Sequence, residues 1–465
     1  MPESHQILSV AQMRTAEEAL IARGSSVEAL MDVAGRGAAD WVWRVAARHR
    51  VTVLCGPGNN GGDGYVIAQA IRERGGDAVV VAAYPPQTPA ARNARNFYSG
   101  EVLARSVEAR GEVFVDCLFG SGLTRPLQLD DEALIAQLAA AHHHRIAVDV
   151  PSGVQSDTGM LLAGHLCRFD LTVALGAWKF AHFLRPAAGL MGALHLIDIG
   201  VEPIESAAQA IVRPSLKRPA PDAHKYTRGL VALVAGAMPG AAVLAATAAQ
   251  RAGAGYVRIF SEHTGQVPSD LVLSTDPLGE ALEDGRIAAV LVGPGLGRDA
   301  DARERLAVAL AAEIPAVIDA DALVLLSPRN LSERTAPIIA TPHEGELLAL
   351  ERAFECEATG SKAERALAIA QATGMIIVSK GPDTLVAAPD GRLACAGVAS
   401  SWLSTAGTGD VLAGVIASRL ANGREPFESA CEGVWLHAEA ARLSPPAFTA
   451  GELARAIPQA LGACL

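Results

Sequence analysis

Short apolar runs that end in loops of glycine, aspartate and serine recur along this 465-residue chain. They lie at 51–55, 113–117 and 146–150 in the first half. In the second half they lie at 231–235, 290–297, 316–318, 338–340 and 376–379. Stretches with 3.6-residue apolar spacing, such as 13–23 and 27–47, read as helices. Strands alternating with helices predict an α/β chain with parallel, doubly wound sheets. In such a sheet the C-terminal strand ends face one crevice, so polar residues just past those ends converge there. Further strands are expected at 78–83, 171–175 and 194–199. The segment 212–223 holds three prolines and three basic residues and reads as an exposed linker. Two domains are therefore expected, at 1–211 and 224–465.

Half of the residues are hydrophobic and 19% are charged, the balance of a well-buried globular chain. A net charge of −11 without a basic stripe argues against nucleic-acid partners. Small anionic ligands remain open, because they need only local N–H groups and a few lysines. The uncharged stretch 231–250 is interrupted by Pro239 and several glycines, so it reads as strand, loop and helix and not as a membrane span. Seven cysteines without a CxxC pair predict reduced thiols in a cytoplasmic protein, and no signal peptide is read at the start. The apolar composition and alanine-rich helices suit a homo-oligomer acting on small molecules.

The stretch 405–414, TAGTGDVLAG, puts small residues, a hydroxyl and one acid at a turn leading into an apolar helix at 411–420. Gly407 and Gly409 let the backbone approach a ligand closely. Free N–H groups at the helix start favour an anion. Asp410 beside such a site reads as a catalytic base that activates a hydroxyl for phosphoryl transfer. The bland alternative is a glycine-rich turn with an aspartate cap. No G-x-x-x-x-G-K-[ST] occurs, so a P-loop is excluded, and a nucleotide must be held by Lys380, its turn and Thr408-Gly409.

In the first half GPGNNGGDG follows a strand, and Gly56, Gly58 and Gly61 match G-x-G-x-x-G. A dinucleotide site also wants an acid at the end of the next strand, but that strand runs into Tyr84, Pro85 and Pro86. The oxygens of Asn59, Asn60 and Asp63 suit a hard cation or a polar ligand better. Asp116 and Asp149 stand at further strand ends, with Ser152 just beyond, and Lys179 follows the 171–175 strand as a possible anion partner.

GPGNNGGDG, DCLFGSGLTRPL, VDVPSGVQSDTG and DIG together resemble the NAD(P)H-hydrate epimerase domain over about residues 1–205. The resemblance implies a Rossmann-like α/β/α fold that inverts C6 of hydrated NAD(P)H, with a bound potassium ion. It implies Asp149 as catalytic. Asn59, Asn60, Gly61, Gly62, Asp63, Gly120, Ser121, Gly122, Leu123, Thr124, Arg125 and Pro126 would line the substrate along with Asp149. Asn60, Asp116 and Ser152 would hold potassium. The helix at Met31–Gly35 lacks the usual Glu-Asn, and Trp178-Lys179-Phe180 replaces a Gly/Pro-rich loop.

HKY, GPGLG, DADAL, TPHEGE, KGPDT and GTGDVLAG, in that order, resemble ADP- or ATP-dependent NAD(P)H-hydrate dehydratase, a ribokinase-like fold, over about residues 220–465. That resemblance implies phosphorylation of the C6 hydroxyl and loss of phosphate, with magnesium accompanying ADP or ATP. Lys380, Gly381, Pro382, Asp383, Thr384 and Gly409 would contact the nucleotide. Asp410, His343, Gly297 and Ala241 would contact the hydrate. Glu344, Val324 and Ala406 stand where the family usually has Pro, Asn and Gly.

Several residues have structural alternatives. His343 reads either as a buried satisfied histidine or as a substrate contact, and Asp319 and Asp321 as helix caps or as ligands of magnesium or substrate. His142, His143 and His144 cannot all face one ion and read as a solvated loop. Lys225 reads as a linker charge or a site residue, and Trp41 and Trp43 as core or interface. The main competing function is a ribokinase-like small-molecule kinase with a regulatory ligand-binding front half. A dehydrogenase ranks last because the ribose-binding acid is missing.

Overall fold

The computed structural model describes residues 5–105, 109–262, 267–357 and 359–465. The chain divides into two units, Met1–Ala210 and Ile211–Leu465, each built around its own sheet.

The first unit contains β1 (Gln6–Ile7), β2 (Val51–Cys55), β3 (Ala78–Ala82), β4 (Val102–Ala104), β5 (Gly111–Cys117), β6 (His142–Val148), β7 (Leu171–Leu175) and β8 (Ala193–Ile197). Its helices are α1 (Val10–Ala22), α2 (Val27–Ala46), α3 (Asn59–Glu73), α4 (Pro89–Phe97) and α5 (Leu129–Ala140). Seven strands pair in the order β4-β3-β2-β5-β6-β7-β8, all parallel. β1 instead pairs antiparallel with β9 (Ala208–Ile211). β2 and β7 are buried at every position, which is why they read as apolar runs interrupted only by a buried threonine, Thr52 and Thr172, and not as alternating ones. Met31, Ala34, Ala38 and Val42 of α2 belong to the same buried cluster as Val53, Val115 and Ile146 of the sheet. Strand order reverses between β2 and β5, which makes the loops beyond them the switch-point crevice.

The second unit contains β10 (Leu230–Val234), β11 (Tyr256–Phe260), β12 (Val272–Ser274), β13 (Ile287–Val292), β14 (Ala316–Ile318), β15 (Ile338–Ala340), β16 (Ile376–Ser379), β17 (Leu385–Ala387) and β18 (Leu393–Ala396). They run in the order β18-β17-β16-β15-β14-β13-β10-β11-β12. The strands from β16 to β12 are parallel, and β17 and β18 add antiparallel hairpins. The helices are α6 (Pro239–Arg251), α7 (Leu278–Ala281), α8 (Ala300–Ala311), α9 (Asp321–Leu325), α10 (Glu344–Ala353), α11 (Lys362–Thr373), α12 (Thr408–Ala421), α13 (Pro426–Leu443) and α14 (Ala450–Gly462). Here the order reverses between β10 and β13. A Cβ on Gly414 would lie 2.1 Å from the carbonyl of Ala245, so only glycine lets α12 close on α6. Alanines 242, 245, 246 and 249 complete that contact with Ala413 and Ala417.

The structure corrects several expected boundaries. α3 starts at Asn59, so the NNGGDG run is its first turns and not a loop. Asn60 and Asp63 therefore share a helix face. α12 starts at Thr408, because Gly407 takes the left-handed conformation (φ 90°) as its N-cap. His142, His143 and His144 open β6 and do not form a loop. His142 is buried between the Leu138 carbonyl (2.6 Å) and Thr52 Oγ1 (2.8 Å). In the expected linker Leu216 is buried, and its N–H donates to the Cys464 carbonyl at 2.9 Å. Trp41 stacks on His195, and the Lys225 ammonium lies over the Tyr226 and Tyr256 rings. Among the described residues no helix is long and apolar enough to cross a membrane.

Two candidate active sites

In the first unit the loops after β2, β5 and β6 enclose a cavity of about 550 Å³. It is lined by Asn59, Asn60, Asp63, Asp149, Lys179 and the run from Gly120 to Arg125. Gly61, Gly62 and Pro126 are not among its lining. The two glycines serve packing instead. A Cβ on Gly61 would lie 2.0 Å from the Gly56 carbonyl, and one on Gly62 would meet the Met31 methyl at 2.5 Å.

Asp149 closes β6 with φ 66°, a strained left-handed backbone for a non-glycine residue. Its carboxylate accepts from Lys179 Nζ at 2.5 Å and from the Ser121 N–H at 3.0 Å. Lys179 Nζ also donates to the Leu175 carbonyl at 2.6 Å. His182 fixes this corner: its Nδ1 accepts from the Lys179 N–H (2.9 Å), so its Nε2–H donates to the Asp149 carbonyl (2.8 Å). Burial and the neighbouring ammonium push that imidazole down to about 4, so it is neutral. Burial alone would raise the Asp149 carboxyl, but Lys179 and the Ser121 donor hold it below the usual range. Asp63 goes the other way. Burial, then Asp149 and Glu17, lift it well above the usual carboxylate range. Burial also raises Glu17, on the cavity wall. The cavity thus holds one carboxyl kept below the usual range and one lifted well above it, the separation that acid–base chemistry uses.

Asp116 lies beneath, fully buried. Its carboxylate accepts from Ser152 Oγ (2.7 Å), the Ser152 N–H (2.9 Å) and the Leu118 N–H (3.1 Å). Among the described residues no cationic side chain pairs with it. The Asn60 amide nitrogen is buried without a protein partner.

In the second unit the loops after β10, β13, β14, β15 and β16 meet the start of α12. The Met238 N–H donates to the Gly295 carbonyl at 2.9 Å, which joins the loop carrying Ala241 to the loop carrying Gly297. The Gly297 N–H and Arg298 Nε both donate to Asp321, at 3.0 and 2.7 Å. Ala320, between Asp319 and Asp321, has φ 49°. Asp319 is buried and accepts from Thr341 Oγ1 (2.7 Å) and Lys380 Nζ (2.6 Å). Glu346 stands 3.7 Å from the same ammonium. Burial alone would lower Lys380, but Asp319 and Glu346 raise it. A Cβ on Gly409 would touch Lys380 Nζ at 3.5 Å, so this ammonium faces the α12 loop. Asp410, in the first turn of α12, is raised to about 6 by burial and by Asp319, with Lys380 opposing.

Neither aspartate of DADAL uses its side chain to cap α9. His343 is exposed and not buried; it caps α10 and its Nδ1 accepts from the Glu346 N–H at 3.1 Å. The KGPDT turn is pinned from behind by Lys362, whose Nζ reaches the Asp383 carboxylate at 2.6 Å.

A second cavity of about 560 Å³ lies beside the α12 loop. Trp402, Val398, Val434, Trp435 and Ala438 are among its walls. It is tied to the loop on both sides. Thr408 Oγ1 donates to the Leu403 carbonyl (2.8 Å), and His437 on α13 meets the Thr408 carbonyl at 2.9 Å. Sequence reasoning missed these walls, the Lys179–Asp149 pair and the Glu346 contact. Position after a strand end signals Lys179 and Glu346, but no local pattern marks Trp402 or Trp435.

Comparison with known proteins decides the family. The profile described as NAD(P)H-hydrate dehydratase matches residues 231–461, and that of the YjeF-related protein N-terminus matches 27–181. A bifunctional NAD(P)H-hydrate repair enzyme from Gloeobacter violaceus is 34% identical, over 93% of this chain and 92% of its own. The enzyme of the same description from Mycobacterium tuberculosis H37Rv is 33% identical over 91% and 90%. The chain belongs to the bifunctional NAD(P)H-hydrate repair enzymes. A solved ADP/ATP-dependent NAD(P)H-hydrate dehydratase from Bacillus subtilis, co-crystallised with ATP and Mg2+, is 28% identical over 54% of this chain and 95% of its own, at a TM-score of 0.47. As a repair enzyme of this family the chain has NAD(P)H-hydrate epimerase and dehydratase activities, on a Rossmann-like and a ribokinase-like unit. The competing kinase and dehydrogenase readings fall.

Proposed function

We propose that the first-unit cavity epimerises the hydrate and that the α12 loop dehydrates it at the expense of ADP or ATP. The observation that carries this is the grouping of carboxyls of opposite tendency at each switch point: Asp149, held low by Lys179 at 2.5 Å, with Asp63, lifted by burial, on one cavity wall, and Asp410, raised to about 6, opposite Lys380.

C6 of the hydrate bears both a hydroxyl and the ring nitrogen, so it is a hemiaminal. Asp149 takes the hydroxyl proton as the C6–N1 bond breaks to an open-chain aldehyde, and Asp63 gives its proton to N1. Rotation and reclosure on the other face return both protons and invert C6. Lys179 keeps Asp149 ionised for this task. Both carboxyls line the cavity, which supports the assignment.

In the second unit Asp410 accepts the C6 hydroxyl proton while the terminal phosphoryl group passes to that oxygen, with the α12 N–H groups facing the transferring charge. Phosphate then leaves with the C6–O bond. The C5 proton passes to water, and the dihydronicotinamide is restored. Lys380 would meet the phosphates together with Gly409 and the Gly381, Pro382 and Thr384 turn. Asp383 would act through the turn it braces with Lys362. The base would lie in the Trp402–Trp435 cavity, stacked on an aromatic wall. Ala241, Gly297 and His343 would border the hydrate.

Potassium fits Asn60, Asp116 and Ser152 by their donor chemistry: Asp116 is a buried carboxylate that no cationic side chain pairs with among the described residues, and the Asn60 amide and Ser152 hydroxyl offer further oxygens. When bound it supplies positive charge at the cavity floor. Among the described residues no three acidic, histidine or cysteine side chains form a metal cage, so magnesium fits as a nucleotide-borne ion held by one or two carboxylates. Seven unpaired cysteines support a reducing, cytoplasmic compartment.

The phosphoryl step is tested with hydrate carrying 18O in its C6 hydroxyl. The label is expected in inorganic phosphate; label found in water would exclude phosphorylation at that oxygen.

A further inference from the structure

In a chain of net charge −11, one cavity of the second unit gathers cations away from the α12 loop. It holds about 590 Å³ and is lined by Lys217, His224, Arg228, Arg419 and Arg424, with Asp222 the acid on its wall. The segment 216–224 forms one side and the C-terminal end of α12 the other. Arg419 and Arg424 share one carboxylate: Glu432 accepts from their Nε atoms at 2.7 and 2.8 Å. Glu432 is buried, so its single charge balances one of the two guanidiniums. Arg228 donates from Nη2 to the Gly253 carbonyl at 3.2 Å, but its Nε is occluded from solvent and meets no acceptor. Lys217 is exposed and forms no ion pair with another described residue. Four permanent cations thus face two carboxylates.

A buried guanidinium nitrogen without an acceptor is unfavourable unless a ligand meets it. Guanidinium forks suit phosphate oxygens. The concavity has the size of a small-molecule site, which selects a metabolite and not a polymer. The catalytic loop lies elsewhere. Asp410 and Arg419 are nine residues apart on α12, roughly 14 Å along its axis.

We propose that this cavity binds a small phosphate-bearing anion, recognised by Lys217, Arg228 and Arg424. It is a second ligand site, separate from the nucleotide and hydrate sites.

The test is calorimetry of the full chain with inorganic pyrophosphate. Gly409→Asp closes the catalytic anion loop with a carboxylate, and the position accepts a Cβ at ordinary contact distances. In that background pyrophosphate is expected to bind still, and adding Lys217→Ala and Arg228→Ala should weaken it at least tenfold. Lys217→Glu, at an exposed position that leaves the fold alone, should weaken it at least threefold. Loss of all binding with Gly409→Asp alone would overturn the proposal, as would unchanged affinity in the Lys217→Glu protein.

Discussion

Lys380 Nζ lies 2.6 Å from Asp319 and 3.7 Å from Glu346, so it is held among carboxylates before any phosphate arrives. The same ammonium opposes the burial that lifts Asp410. Lys380 therefore does two things, fixing the acidic cluster and setting the base. Lys380→Met should raise the nucleotide KM at least tenfold. It should also move the acidic limb of the dehydratase profile to higher pH, because the influence that lowers Asp410 is gone. A pH series of kcat/KM reads both effects, and an unmoved limb would separate Lys380 from Asp410.

Asp410 acts as a base only when ionised. Its carboxyl sits at about 6, so dehydratase kcat/KM should climb as pH rises through about 6 and level off near neutrality. Asp410→Asn should lower kcat by about 10²–10⁴-fold and leave epimerisation intact. Epimer exchange followed by proton NMR checks the second half of that statement.

Much of this was legible because the chemistry sits in loops whose composition is unusual. DADAL and KGPDT each follow an apolar run, and the parallel sheet brings those strand ends together, while TAGTGDVLAG opens the apolar helix α12. Other features were not local. Lys179 is one basic residue after β7, and only the β6–β7 pairing shows that it meets Asp149 and not a ligand anion. Gly61 and Gly62 look like ligand glycines in sequence but answer to packing against Gly56 and Met31. The three histidines at 142–144 resemble a polar loop until pairing with β5 makes them a strand. Trp402 and Trp435 are more than thirty positions apart, and only the fold sets them around one cavity.

Lys179 and Asp149 form a pair whose side chains are 2% and 10% exposed. Removing one partner leaves the other charge buried. Lys179→Met should destabilise the first unit by about 3–5 kcal/mol and cut epimerase activity at neutral pH. The direction follows from the shift: Lys179 lowers Asp149, so its loss raises that carboxyl and moves the epimerase profile to higher pH. Thermal unfolding and an epimerase pH series measure the two effects separately.

Replacing potassium by tetramethylammonium should lower epimerase activity and the unfolding temperature of the first unit, with dehydratase activity unchanged. Asp116→Asn should remove this dependence, since the buried charge that the ion balances is then absent. Equal stability in both salts would argue against the Asn60, Asp116 and Ser152 site.

Trp402→Ala should raise the KM for ADP or ATP about five- to tenfold, in line with the roughly 1–1.5 kcal/mol that an aromatic contact contributes, with little change in kcat. Steady-state kinetics with the nucleotide varied decide it. A fall in kcat at constant KM would move the base elsewhere.

The central claim, one chemistry in each unit, is tested most directly with a mixture of hydrated NADH epimers, ADP or ATP and magnesium, followed by recovery of dihydronicotinamide absorbance. The account predicts full, rapid recovery by the parent protein. It predicts rapid recovery of only one epimer by Asp149→Ala, and none by Asp410→Asn. No recovery with either nucleotide, or full rapid recovery by both variants, would contradict it.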